Sequence, residues 1–523
     1  MSRRFGFDLL PNELCHLILE ELDYPSLCSL SRVSKRAYAA FAGALYESVQ
    51  SPALFTLASS EKSRLPLSGP HPASFVRRIS LSFPDRPSYS VVSKHKEREE
   101  KAKNDRMEGL PPSDLTTFKQ LVTKAVNNVI FYAPNAAIKS FRYECDLLSL
   151  PDVFPNVEFA KLSSLEKVTI ECPFPIATLR RSLAIISSLC GSSLEGLNLT
   201  FPGRRSHGGV TVYPPEPSTI AKVLQKVPES CPQIQRLTLY IPGGWSNPDI
   251  SVKPIHRALA NPTFTFPNLK ELHLVDITMV ESICVECSAF FLRHPNVETF
   301  VFCGASLHRG HPVDPRIFPK LSMLRVALLG DCVSLCLSGA RPIDTLILTV
   351  GQTISKEKEL QLITALKSLK TLRVLRVRDL RITSHEELMG ISIDNLTGIV
   401  TSCPHLTHFD CVVGIEAAFN LPDLHRCYND IVSNLPSLDC LMLGFCFLLP
   451  ATLGYPYTDP SHIQVLQEVM QKHRAPQTIQ VELFEVSALC PPQRAIAFQI
   501  VAGDSDCVHT SDLTAAFMLH KWL

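Results

Sequence analysis

Few residues in this 523-residue chain stand at spacings that could do chemistry. The run His385-Glu386-Glu387-Leu388-Met389 opens like a zinc-protease helix, in which histidines four residues apart hold the metal and a glutamate beside the first acts as base. Met389 takes the second histidine's place, and a thioether does not replace an imidazole on zinc. Cys284-x-x-Cys287 has ligand spacing, but it falls inside a helix-compatible stretch, 280–292, with no second pair at finger distance, so core packing is expected. Cys332 and Cys336 are one helical turn apart in an apolar run and read the same way. The glycines of 203–209 lack the preceding strand and following helix that a phosphate cradle requires, and neither a nucleophile elbow nor a dinucleotide fingerprint occurs. The expectation is a noncatalytic chain with no catalytic residue, no metal ligand and no cofactor.

Composition narrows the partners. Lys and Arg number 51 against 50 Asp and Glu, a net charge of +1, so no field draws nucleic acid or an anionic membrane. Hydrophobic residues make up 45% and charged residues 19%, enough apolar material for most of the chain to fold. The 18 cysteines are scattered, many in apolar runs such as Asp439-Cys440-Leu441-Met442-Leu443, which suits small buried hydrophobes in a reducing compartment. Pro11, Asn12, Glu13, Glu20, Glu21 and Asp23 interrupt the first thirty residues, so no signal peptide is expected. Nowhere do eighteen apolar residues run together. The chain is expected in the cytoplasm, the nucleus or both, without membrane or nucleic acid as partner.

What remains is how the chain is built. At roughly 150 residues per domain its length suits about three domains, or one repeat array with an appendage. The segment 5–50 reads as a separate unit of three short helices. Leu14, Ile18 and Leu22 recur at helical spacing after Pro11, which suits a first turn. A second helix is expected to start at Ser26 as its cap and to carry Leu27, Leu30 and Val33; a third carries Tyr38, Phe41 and Leu45. So small a unit buries too little surface alone, which makes it a docking module.

The string Leu10-Pro11-x-Glu13-Leu14-x-x-x-Ile18-Leu19-x-x-Leu22-Asp23-x-x-Ser26-Leu27-x-x-Leu30-Ser31-x-Val33-Ser34-Lys35-Arg36 closely resembles an F-box. It departs at Ala37, where the family often has Trp; Tyr38 is the neighbour that could take over that packing. The resemblance implies binding to the Skp-type linker, and through it the cullin, of a ubiquitin ligase. It places Leu10, Pro11, Leu14, Ile18, Leu22, Leu27, Leu30 and Val33 at or behind that interface.

Beyond a linker at 51–70, one pattern recurs through 71–486: a proline or turn residue, then apolar-x-x-apolar-x-apolar. It appears as Ile138/Phe141/Tyr143, Leu165/Val168/Ile170, Leu194/Leu197/Leu199, Ile234/Leu237/Leu239, Leu269/Leu272/Leu274, Val297/Phe300/Phe302, Leu321/Leu324/Val326, Ile343/Leu346/Leu348, Leu372/Leu375/Val377, Leu406/Phe409/Cys411 and Leu438/Leu441/Leu443, with Val76/Ile79/Leu81 an earlier member. The last positions of each triple have strand alternation. Helix-compatible stretches such as 219–227, 280–292, 356–366 and 423–434 lie between them, many followed by an X-Pro stop. Strand plus helix per unit implies an α/β stack of parallel strands. It resembles, in degenerate form, leucine-rich repeats: a curved parallel sheet inside and helices outside, a solenoid. F-box plus repeats is similar to the substrate receptors common in fungi, which implies target degradation by the proteasome. A charged, proline-flanked insertion at 84–112 and a loop at 202–217 interrupt the array, and 487–523 is left as a cap or tail.

A parallel stack offers one long sheet face for recognition. On this alignment Arg236, Thr238, His273, Arg325, Arg376, Arg378, His408 and Asp410 point into it and form the expected target-binding surface. The expected function is the substrate-recognition adaptor of a cullin-based ligase. The alternatives are a scaffold that uses the F-box only to hold the linker, and an enzyme with an unrecognised site.

Overall fold

The structure is a computed structural model. It describes residues 22, 24–33, 37–38, 41, 45–46, 48–49, 57–58, 71–82, 115–133, 138–145, 148–201, 205–207, 210–212, 215–241, 253–277, 283–304, 313–327, 329–349, 356–377, 391–415, 421–448, 468, 478–487, 490–501 and 508–509. The chain divides into two compact units, Met1–Leu269 and Lys270–Leu523.

In the first unit the order is α1 (Tyr24–Ser31), β1 (Ser48–Val49), β2 (Arg78–Ser82), α2 (Leu115–Tyr132), β3 (Ser140–Glu144), α3 (Leu150–Val153), β4 (Lys167–Glu171), α4 (Leu179–Leu189), β5 (Gly196–Thr200), β6 (Arg205–His207), β7 (Val210–Val212), α5 (Pro217–Ser230), β8 (Arg236–Tyr240) and α6 (Lys253–Ala260). Strands β1, β2, β3, β4, β5 and β8 pair in that order, all parallel. Their alternation places Ile79, Phe141, Val168, Leu197 and Leu237 in one register row and Leu81, Tyr143, Ile170, Leu199 and Leu239 in the next. None of the ten is more than 3% exposed. Each such side chain removed from water contributes ~1.5–3 kcal/mol before chain entropy is counted.

The second unit repeats the plan with β9 (Glu271–Ile277), α7 (Ile283–Leu292), β10 (Thr299–Gly304), β11 (Met323–Val326), α8 (Leu329–Leu337), β12 (Thr345–Leu348), α9 (Lys356–Ser368), β13 (Val374–Val377), β14 (Ile391–Ser392), α10 (Ile393–Ser402), β15 (His408–Ile415), α11 (Leu421–Asn434), β16 (Cys440–Leu448), β17 (Thr478–Ser487), β18 (Cys490–Val501) and β19 (Val508–His509). Strands β9 to β13 and β15 to β17 form one parallel series, with β14 beside β15. Leu272, Phe300, Leu324, Leu346, Leu375, Phe409, Leu441 and Ile479 make one buried row, and Leu274, Phe302, Val326, Leu348, Val377, Cys411 and Leu443 another. The apolar triples spaced along the sequence are therefore equivalent positions of one α/β arrangement. Strands β18 and β19 then join antiparallel, β18 against β17 and β19 against β18.

Two backbone devices recur along the array. At most strand entries two successive N–H groups donate to one carbonyl at the start of the strand before: Glu166 and Lys167 to Lys139, Glu195 and Gly196 to Glu166, Ser322 and Met323 to Glu298, Thr407 and His408 to Arg373. Ahead of the strand, Leu269, Val297, Leu321, Leu406 and Leu438 donate to the carbonyl three residues back, on Phe266, His294, Phe318, Cys403 and Leu435. Each of those acceptors immediately precedes a proline. Proline disfavours the helical region for the residue before it, so the helix stops and the chain turns. Cys231, before Pro232, and Cys403 accordingly have φ of −132° and ψ of 67° and 62°. Phe318 goes further, to φ 50°, and its buried ring packs against Phe291 and Phe300 at 5.3 and 4.9 Å between centroids.

The helices expected over 219–227, 280–292, 356–366 and 423–434 are present as α5, α7, α9 and α11. In α4 the buried side chains Leu179, Ser182, Ile186 and Leu189 recur at helical spacing. The loop expected over 202–217 is a correction: Arg205–His207 and Val210–Val212 pair antiparallel as a hairpin. Val210-x-Val212 alternates, and Gly208-Gly209 has the composition of a tight hairpin connection, a signal the loop reading passed over. The insertion at 84–112 lies outside the described residues. Among those described, no helix is long and apolar enough to cross a membrane.

Candidate functional site

Two surfaces follow from this frame. The first is at the N-terminal end. Leu27, Ala37, Phe41 and Leu45 form a small core of their own, with Leu22, Cys28, Leu30 and Tyr46 packed against it half-buried. Helix α1 starts at Tyr24, so Ser26 lies in its first turn and does not cap it; Pro25 suits that turn because its missing N–H would have no partner there. The Ser31 hydroxyl donates back to the Cys28 carbonyl at 2.9 Å. Just past the helix Val33 stands 67% exposed, unusual for a β-branched aliphatic beside a core. Ala37 is buried within the small core, while the Tyr38 ring meets Phe75 edge-on at 6.5 Å. Burial raises the Tyr38 phenol above its ordinary value. Of the expected linker-binding residues, Leu27 is core, Leu22 and Leu30 are half-buried, Val33 is open, and Leu10, Pro11, Leu14 and Ile18 lie outside the described residues.

The second is, in each unit by itself, the sheet face opposite its buried rows. In the first unit Arg142, Thr169, Asn198 and Thr238 share a row, with Arg236 in the row before it beside Gly196. In the second unit the corresponding row runs His273, Val301, Arg325, Ile347, Arg376, Asp410, Met442 and Gln480. Sequence reasoning had four of these, His273, Arg325, Arg376 and Asp410, and the register brings them into one line. His408 lies one row earlier, beside Val374 and Cys440. Asp410 is buried, 6% exposed, rather than open. Arg378 lies outside the described residues.

Arg325 has the least ordinary surroundings. Val301 and Ile347 flank it in register, one strand spacing of about 4.8 Å to either side. Met323 precedes it on the same face of β11, two residues back. Beyond the strand end Cys303 Sγ and Thr349 Oγ1, from the strands on either side, approach to 4.0 Å. The guanidinium thus rises from a mostly apolar patch. Its Nε–H is shielded from water and has no acceptor, a deficit of about 1–3 kcal/mol for a buried donor. His273, two strands away, is held below the usual imidazole range first by burial and then by the Arg325 charge, so it is neutral at neutral pH. The apolar neighbours were missed in the sequence because they sit on the outward phase of the alternation, where polar residues are expected.

Several buried cysteines are held as thiols. Cys332 and Cys336 are buried in α8 with sulfurs 3.9 Å apart. Burial pushes the Cys403 and Cys427 thiols up to about 12, away from the thiolate that chemistry needs. Among the described residues no three His, Cys, Asp or Glu side chains gather where they could hold a metal. Cys284 and Cys287 lie within α7, and the run 385–389 lies outside the described residues.

Comparison with known families matches residues 7–43 to the F-box domain. That span contains Leu10 through Phe41, so the chain carries an F-box at its N-terminal end. No curated protein matches the chain.

Proposed function

We propose that this protein is a noncatalytic substrate-recognition adaptor of a cullin-based, SCF-type ubiquitin ligase. Its F-box docks the Skp-type linker and its sheet face, a degenerate leucine-rich-repeat array, holds a target protein. The F-box match over residues 7–43 carries the reading. Two features of the fold support it: the small F-box core leaves Val33 uncovered, and the sheet face opposite the buried rows bears side chains that can vary without unfolding the stack. No residue here needs to react. Holding target lysines beside a charged conjugating enzyme raises their effective concentration, which turns a bimolecular encounter into a nearly intramolecular one.

The test is capture of the linker by the intact chain and by Pro11→Ala/Leu14→Ala. Recovery with the intact chain and loss with the double variant is the expected result; equal recovery from both would count heavily against the adaptor reading. Co-purification of the cullin with the linker separates a ligase subunit from a scaffold that holds only the linker.

A further inference from the structure

We infer that the sheet face of the second unit binds an acidic, unphosphorylated segment of its target, seating one Asp or Glu carboxylate on Arg325 with apolar target residues to either side. The inference rests on the reading of this face as the target-holding surface and names the chemistry that the surface selects.

Four observations converge on Arg325. It stands in the row His273, Val301, Arg325, Ile347, Arg376, Asp410, so its neighbours on both sides are aliphatic and no carboxylate is adjacent in register. Met323 extends the apolar surround along β11, and Cys303 with Thr349 closes it at the far end. The Nε–H lacks an acceptor. Arg376, by contrast, is paired in register with Asp410, and the two opposite charges offset each other within the row.

This arrangement selects a carboxylate. A guanidinium edge presents two parallel donors, Nε–H and Nη–H, at the spacing of two carboxylate oxygens; the Nε–H is shielded in the free protein, so pairing along that edge requires the side chain to turn toward the ligand. In an apolar surround the charge-assisted pair gains strength once water is excluded, as at interface hot spots ringed by weaker contacts. The charge balance agrees. Arg325 and Arg376 against Asp410 leave one positive charge, with His273 neutral, which a single carboxylate neutralises. A phosphate dianion would overshoot it and bring a second negative group toward Asp410. Ile347, half-buried, then offers contact to a residue beside the acid, while Val301, 7% exposed, forms the floor on the other side.

The test pans a random peptide library displayed on phage against the full chain, then measures a recovered peptide by fluorescence anisotropy. The expected result is enrichment of Asp or Glu between apolar residues. Arg325→Gln should weaken the recovered peptide about tenfold or more, Arg325→Lys should restore only part, and Arg376→Gln should change it less than about threefold. Replacing the acid by its amide in the peptide should cost the same tenfold, a readout that holds even if Arg325→Gln melts early. No enrichment, enrichment without an acidic residue, unchanged affinity in Arg325→Gln, or preference for the same library after phosphorylation by a kinase would each overturn the inference. Linker capture is run on the same samples: its loss by the intact chain strikes the adaptor reading, while a failed selection with linker capture intact strikes only the inference about Arg325.

Discussion

Arg341 and Ile317 are joined by a two-pronged hydrogen bond: Nε and Nη2 of the buried guanidinium both donate to the Ile317 carbonyl, at 3.1 and 2.8 Å. The same side chain donates to the Leu335 carbonyl at the end of α8 and to Ser338 Oγ at 2.9 Å. One cation thus satisfies an orphan carbonyl of a helix end and ties it to the chain entering β11, the strand that carries Arg325.

Truncating it therefore leaves the Ile317 carbonyl without a donor and the Leu335 carbonyl with only the Ser338 hydroxyl, at 3.4 Å. Arg341→Met should destabilise the second unit by about 3 kcal/mol, at ~1–3 kcal/mol for each orphaned acceptor. Hydrogen exchange of the β11 amides, faster by about two orders of magnitude, reads the loss, and Arg341→Lys should recover only part because an ammonium cannot bridge three acceptors in one plane. Unchanged exchange would remove Arg341 from any supporting role.

Helices α9 and α10 meet closely at Gly398. A Cβ there would stand 2.9 Å from Ile363 Cδ1. Gly398→Ala gains helix propensity of about 1 kcal/mol but forces the isoleucine tip aside, at ~1–3 kcal/mol, so a net loss near 1 kcal/mol is expected. Ile363→Val removes the clashing methyl and alone costs ~0.5–1.5 kcal/mol. The double variant should be more stable than the sum of the two by about 1 kcal/mol in a denaturation cycle. Simple additivity would place the helices farther apart.

His294 sets an acid limit. It is 1% exposed, its Nδ1 lies 2.6 Å from the Phe290 carbonyl and its ring lies 4.4 Å from the Phe290 ring. Burial, with a smaller effect of the Arg293 charge, lowers its folded pKa to about 4, and the neutral ring donates from Nδ1. The unfolded value is about 6.5. The contribution is therefore complete above pH 6.5 and is lost as pH falls from about 6.5 to 4, because only the unfolded chain takes up the proton there. The loss reaches roughly 3 kcal/mol. Urea unfolding of the protein and of His294→Phe over that window should diverge by this amount as pH falls; parallel curves would mean the imidazole is solvated.

Much of the parallel array was legible because strand alternation has a period of two and a proline or turn residue precedes each apolar triple. Phe141, Val168 and Leu197, or Leu346, Leu375 and Phe409, announce a buried row without any knowledge of their neighbours. The candidate site was legible only in part. Arg325, Arg376 and His273 could be placed on the open face by counting, but their adjacency depends on strand register across segments of unequal length. Asp410 gave no sign that it is buried, since burial there comes from neighbouring strands. Nothing in the sequence singles out Arg341 or Glu359. Yet Glu359 is 2% exposed and accepts from the Ser392 backbone N–H at 2.8 Å and the Ser392 hydroxyl at 2.6 Å, thirty-three residues on. Such partners exist only once the stack has formed.

The most direct measurement of the central claim uses Val33, whose 67% exposure lets it be changed without disturbing the small F-box core. Titration of the Skp-type linker into the full chain and into Val33→Asp, with melting curves of both, isolates the interface from the fold. The adaptor account predicts saturable binding by the full chain and at least about tenfold weaker binding by Val33→Asp at unchanged melting temperature, since a lost aliphatic contact and a desolvated charge together exceed 1.4 kcal/mol. Equal affinity in the two proteins, or no binding by either, would contradict it.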